Sequence, residues 1–247
     1  MSLTEINIRE KKFHNQLHES GSHRYENRFY RALNALYDDF FNTLKKEVNK
    51  KNVLDYGCGV GSYTERVIKF NPSKITAIDI SEKAINIAKE KKNDQNHIVD
   101  YRVENCESTK LNSNEYDLIY GAGILHHLDL KKSLNELNRL IGKNGTIIFI
   151  EPLGTNPIIN LYRKLTPRAR SSDEHPLSFG DINFIKDLFD EVDIKYYGFF
   201  TLVFLPFYKS TKNSKFFSFL SQIDRIFLKI PLFRFLAWSI LIKAKKN

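Results

Sequence analysis

The sequence predicts an α/β fold: a mostly parallel sheet with helices on both faces. Three observations carry this. Val53, Leu54 and Asp55 form a short apolar run ending in an acid, and the glycines of Gly57-Cys58-Gly59-Val60-Gly61 alternate directly behind it. A second apolar run, Lys74–Ile80, puts Asp79 22 residues after Gly57, the spacing at which an acid reaches ribose hydroxyls in a nucleotide-binding βαβ unit. Further short apolar runs follow near Asp100–Val103, at Tyr116–Tyr120 and at Thr146–Ile150.

In chain order, a helix begins at Tyr25, where Phe29, Leu33, Leu36, Phe40 and Leu44 recur at three- or four-residue spacing. Phe13-His14-Asn15 lies upstream as an arm. At the first strand, Asp55 stands two residues before Gly57 and is placed to accept hydrogen bonds from an ammonium group. Three close glycines let backbone approach a ligand. A dinucleotide loop prefers G-x-G-x-x-G, but Ser62 holds the last position and the glycine comes one residue early at Gly61. The loop therefore suits a zwitterionic nucleoside. Ser81 is the N-cap of a helix to about Lys92 with Ile85 and Ala88 on one face. The third strand leads into Glu104-Asn105-Cys106-Glu107, and the fourth into Gly121-Ala122-Gly123-Ile124-Leu125-His126-His127-Leu128. The fifth follows a Lys143-Asn144-Gly145 turn and ends at Glu151-Pro152.

This order of loop, ribose acid, adenine position and His-His loop over residues 50–152 resembles the class I S-adenosylmethionine-dependent methyltransferases of the small-molecule type. The resemblance implies a Rossmann-like, seven-stranded sheet with an antiparallel C-terminal strand. It implies a single domain over 1–247: a helical cap (1–48), a cofactor-binding core (49–152), a substrate lid (153–182) and C-terminal strands carrying a basic aromatic insertion (183–247). S-adenosyl-L-methionine, leaving as S-adenosyl-L-homocysteine, would then meet Asp55, Gly57, Cys58, Gly59, Gly61, Asp79, Ile80, Asn105, Cys106 and Gly121. Tyr25 or Arg28 would contact its methionine carboxylate. Asn105 stands where the family usually has an aspartate, and its carbonyl would accept from the adenine amino group.

Between Glu151 and Ile182 the runs Glu-Pro-Leu-Gly-Thr-Asn-Pro and Asp173-Glu174-His175-Pro176-Leu177 are similar to stretches of small-molecule methyltransferases. A long insertion there lies at the carboxyl edge of the sheet, where open α/β folds bind ligands. His126, Tyr162, Arg163, Asp173 and Glu174 are the candidate substrate contacts. If the acceptor is a hydroxyl, a histidine of near-neutral pKa suits the base, and His175 and His127 are the candidates, with Glu151 beside the substrate. Asp173, Glu174, His175 and His126 lack the ligand spacing of the stronger metal motifs, so no metal is expected.

The two cysteines, Cys58 and Cys106, give no disulfide pattern, and Met1 to Arg9 holds no signal-like apolar core. A cytoplasmic protein is expected. Residues 201–247 hold nine Lys or Arg, one acid (Asp224) and ten aromatics, so this segment carries +8 of the total +9. Three readings of it stand. In one, Gly198–Pro206 and Leu236–Ala244 are edge strands around a helical insertion, Lys212–Lys229. In another, Phe216, Phe217, Phe219, Leu220, Ile223, Ile226 and Phe227 make an amphipathic face that contacts an anionic membrane or admits a lipid-like substrate. The third is RNA binding by stacking and phosphate contact, for which no accompanying motif is present, and no nucleic acid is expected. Methyl transfer to oxygen, or less favourably nitrogen, of a small or lipid-like acceptor is the function expected. A macromolecule methyltransferase and a nicotinamide-dependent oxidoreductase are the alternatives.

Overall fold

The computed structural model describes residues 4–19, 32–91, 97–166, 173–205 and 215–247. Seven strands form one sheet in the order β3-β2-β1-β4-β5-β7-β6. They are β1 (Asn52–Tyr56), β2 (Lys74–Asp79), β3 (Val99–Val103), β4 (Tyr116–Ala122), β5 (Ile141–Pro152), β6 (Glu191–Tyr197) and β7 (Ser239–Lys245). Strands β1 to β5 pair in parallel, and β7 runs antiparallel to both β5 and β6. Central β1 is buried along Val53 to Tyr56, as a strand covered on both faces must be. Edge strand β6 instead alternates half-buried and exposed positions.

The helices α1 (Glu5–Glu19), α2 (Asn34–Glu47), α3 (Ser62–Ile68), α4 (Glu82–Glu90) and α5 (Leu130–Leu140) accompany the first five strands. Ser81 caps α4, its hydroxyl accepting from Ala84 N at 3.1 Å. Asp129 caps α5 by accepting from Lys132 N. The helix expected from Tyr25 is described from Asn34 onward; Tyr25, Arg28 and Phe29 lie outside the described residues. Asn144, at φ 61°, turns the chain within β5, where the register against β4 shifts between Tyr116 and Leu118.

Past β5, α6 (Pro157–Leu165) is capped by Asn156, and α7 (Phe179–Leu188) opens on a capping box of Ser178 and Asp181. An isolated parallel bridge between Leu153 and Leu177 closes the base of this excursion. After β6 come a single turn, α8 (Phe200–Val203), then α9 (Lys215–Phe227) and a 3-10 segment, Pro231–Leu236.

The strand expected over Gly198–Pro206 is not one. The sixth strand ends at Tyr197, Gly198 turns at φ 83°, and Phe200 begins α8. Buried Asp224 fixes this turn, accepting from the backbone N–H of Phe199, Phe200 and Thr201 and from the Thr201 hydroxyl. Four donors converge on that one carboxylate, while burial pushes its pKa up. The tail's other elements fall near their expected places, in α9 and β7.

Candidate functional site

The sheet order reverses between β1 and β4, and open α/β folds bind ligands outside the strand ends at that point. Two cavities lie there. One, of about 170 Å³, is lined by Gly57, Gly59, Asp79, Ile80, Asn105 and Cys106 from the ends of β1, β2 and β3, and by His127 and the α1 residues Asn7 and Glu10. The other, of about 240 Å³, is lined by Leu33, Tyr37, Tyr63, Trp238 and other apolar side chains, with His126, Glu151, Tyr162, Arg163 and Glu174 as polar members. Ala122 and Gly123 line both. The cavities therefore share one wall, at the carboxyl end of β4.

In the first cavity, Gly57 and Gly59 adopt φ 79° and 52°, the left-handed region that favours glycine. A Cβ added at Gly59 would meet no atom within 4 Å, so a side chain there would project into open cavity. Asp79 accepts from Gly59 N at 2.9 Å and Ser81 N at 2.8 Å, which fixes both carboxylate oxygens at the rim. Asn105 is engaged on both ends: its carbonyl accepts from Glu107 N, and its amide donates to Asn7 Oδ1.

Four other expected cofactor residues, Asp55, Cys58, Gly61 and Gly121, line neither cavity. Asp55 is buried, and its Oδ2 accepts from the Thr64 and Tyr120 hydroxyls, both at 2.6 Å. Burial raises its carboxyl to about 6 against those two donors. Gly61 is the N-cap of α3, and a Cβ on it would strike the Tyr101 hydroxyl at 2.8 Å. A Cβ at Gly121 would strike Phe149 and the Tyr56 carbonyl. Cys58 and Cys106 are buried free thiols, their pKa values pushed well up by burial.

The second cavity centres on His126. Glu151 accepts from Ile124 N and Leu125 N through Oε1, and its Oε2 lies 2.7 Å from His126 Nδ1. Glu174 Oε1 lies 3.1 Å from His126 Nε2. Burial opposes a charged ring, but the two carboxylates outweigh it and raise His126 to about 9. Both ring nitrogens of His126 face carboxylates, an arrangement that favours the imidazolium. His127, its ring centroid 4.1 Å from that of His126, turns to the first cavity, with Nδ1 3.0 Å from Glu10 Oε2. His175 is exposed and lines neither cavity; its Nδ1 sits 3.1 Å from the Asp173 carbonyl. Asp173 takes a two-pronged bond from Arg9 of α1, 2.8 Å at each oxygen.

Among the described residues His126, His127 and Glu174 bring potential ligand atoms within 4.8 Å of one another. Asp173 and His175 do not join that group. The sequence reading expected a helical cap over 1–48 but missed the site residues α1 brings, Asn7, Arg9 and Glu10, and also Tyr37, Tyr63 and Trp238. One signal was available for α1: Asn7 and Glu10 are three residues apart, on one helical face.

A glycine-walled cavity at the β1/β4 switch point and an antiparallel seventh strand fit a Rossmann-like methyltransferase fold. Residues 54–149 match the family model described as a methyltransferase domain, and the sequence and fold likenesses support a class I S-adenosylmethionine-dependent methyltransferase. It is 27% identical over 153 residues to a ubiquinone biosynthesis O-methyltransferase of Bordetella avium, covering 58% of this chain and 63% of the relative. It is 33% identical over 149 residues to malonyl-[acyl-carrier protein] O-methyltransferase 1 of Ilyobacter polytropus, covering 58% and 53%. The chain thus spans between half and two thirds of these relatives. A Thermotoga maritima methyltransferase structure, described as a possible histamine N-methyltransferase, superimposes with a TM-score of 0.61 at 13% identity, over 98% of this chain and all of that one. That likeness is one of fold.

Proposed function

We propose that the protein transfers a methyl group from S-adenosylmethionine to an oxygen of a small or lipid-like acceptor. The observation that carries this is the pair of cavities sharing the Ala122–Gly123 wall, one glycine-lined and one apolar and aromatic. Bound S-adenosylmethionine supplies a sulfonium-borne methyl electrophile. The protein's part is alignment, exclusion of water and handling of one proton. Asp79 would hold the ribose hydroxyls, and Asn7 and Asn105 would close over the adenine end. In the acceptor cavity, Glu174 would take the hydroxyl proton, a reading supported by its place in the lining. His126, as the imidazolium, would position Glu174 from one side while Glu151 anchors the ring from the other. Tyr162 and Arg163 are the other polar contacts open to the acceptor. Two relatives named as O-methyltransferases support oxygen as the atom methylated. Peripheral contact with an inner membrane face through 201–247 completes the reading; among the described residues no helix is long and apolar enough to cross a membrane.

The test is incubation with methyl-labelled S-adenosylmethionine and a cell extract, followed by partition of the label. Label in the organic or small-molecule fraction as an alkyl ether or ester is expected. Label confined to RNA or protein would overturn the assignment.

A further inference from the structure

The apolar face that the sequence offers on α9 is partly spent inside the fold. Phe217 and Leu220 are buried, and Phe227 stacks between Phe199 and Phe233 at 5.6 and 4.2 Å. Helix α9 still exposes Phe219 and Ile226, but a second group of large exposed apolar side chains lies beside the acceptor cavity. On α6, Ile158, Leu161 and Leu165 recur at i, i+3 and i+7, with Leu165 74% exposed, while Ile159 turns inward to line the cavity. The 3-10 segment adds Leu232, 71% exposed, and Phe235. The two elements are tied together: the Thr155 hydroxyl donates to the Phe235 carbonyl at 2.9 Å, and the Asn156 amide donates to the Leu236 carbonyl.

Charge says what covers this face. Between Pro152 and Ser172 the sequence contains no Asp or Glu, and none follows Asp224 to the last residue. Asp224 itself is buried against backbone N–H groups. Lys164 at the end of α6 and Lys229 before the 3-10 segment are exposed. An apolar patch rimmed by cations, with no exposed acid in either segment, is complementary to an anionic lipid headgroup layer.

We infer that α6 and the 231–236 segment form a docking face for an anionic bilayer, setting the acceptor cavity against the membrane so that a lipid-phase hydroxyl enters past Tyr162 and Trp238. This rests on the lipid-like acceptor reading and moves the membrane contact from α9 to the lid.

The experiment is co-sedimentation of the whole chain with vesicles of phosphatidylglycerol and phosphatidylcholine, and with phosphatidylcholine alone. Binding to the anionic vesicles only, weakening as salt rises, is expected. The double variant Leu161→Glu, Leu232→Glu removes two inserted side chains and should lower the partition constant more than about tenfold. Phe219→Glu, on the exposed side of α9, should leave it within about twofold. Absence of binding, or equal binding by the double variant, overturns the inference. So does a dimer in size-exclusion chromatography that the double variant splits, since the face would then belong to a second copy. Binding is read without cofactor or acceptor. Vesicle binding with no label entering the organic phase therefore keeps the face and removes the lipid acceptor; organic label without vesicle binding does the reverse.

Discussion

The glycine-walled cavity takes most of its wall from neighbouring strand ends, at Gly57 and Gly59, Asp79 and Ile80, and Asn105 and Cys106, whereas the aromatic cavity draws on Leu33, Tyr63, His126, Glu151, Arg163, Glu174 and Trp238. The first is largely backbone and turn, specified by short contiguous stretches. The second is side chains brought together by tertiary packing from segments far apart in the chain. A cavity of the first kind fails through local strain or obstruction. One of the second kind loses chemistry one side chain at a time.

The sharpest way to break that contrast is Gly59→Val. A branched side chain at φ 52° is strained and would fill the open space beside the glycine. Cofactor affinity measured by calorimetry should fall by about 100-fold or more. In the other cavity, Glu174→Gln should lower kcat by roughly 10²-fold while cofactor affinity stays within about twofold. His175→Ala, outside both cavities, should leave kcat within about twofold; a large loss would return the base to His175.

His126→Gln probes stability. The ring's pKa rises from an ordinary value near 6.5 to about 9 on folding. Its stabilising contribution is therefore complete below about pH 6.5 and is lost as pH climbs through about 9. Wild type should lose roughly 5 °C of Tm between pH 7 and pH 10 in excess of the variant. Parallel melting curves would show that the imidazolium carries no folding energy. A small effect belongs to the Arg9–Asp173 bond. It is exposed on the Arg9 side, so Arg9→Ala and Asp173→Asn should each weaken cofactor binding by about two- to fivefold, and the double variant should do no worse than either single one. Additive losses would mean that the two residues act separately.

The same contrast governs what the sequence could reveal. Strands β1 to β5 and the glycine loop were readable because apolar runs and positive-φ glycines leave local marks. Asp55 was placed at the right strand end, yet nothing nearby in sequence announced that Thr64 and Tyr120 would claim one of its oxygens. Strand β6 was missed because its Glu191-Val192-Asp193-Ile194-Lys195 alternation reads as polar until an edge position explains it. The turn at Phe199–Phe200 depends on an acid about 25 residues away, a distance that no short window spans. The part α1 plays in the site was hidden for a similar reason: it appears only in the pairings with Asn105, His127 and Asp173.

The order of strands bears on how the chain is made. Strand β7 is synthesised after β6 but lies between β5 and β6 in the sheet. A nascent chain that has reached Tyr197 thus holds a sixth strand with no partner and a fifth whose far edge is bare. Strand β6 joins the sheet only through Ser239–Lys245, whether that strand first meets Thr146–Pro152 or first pairs with β6. Until it does, that open edge is where a growing polypeptide would be captured by chaperones or by its neighbours.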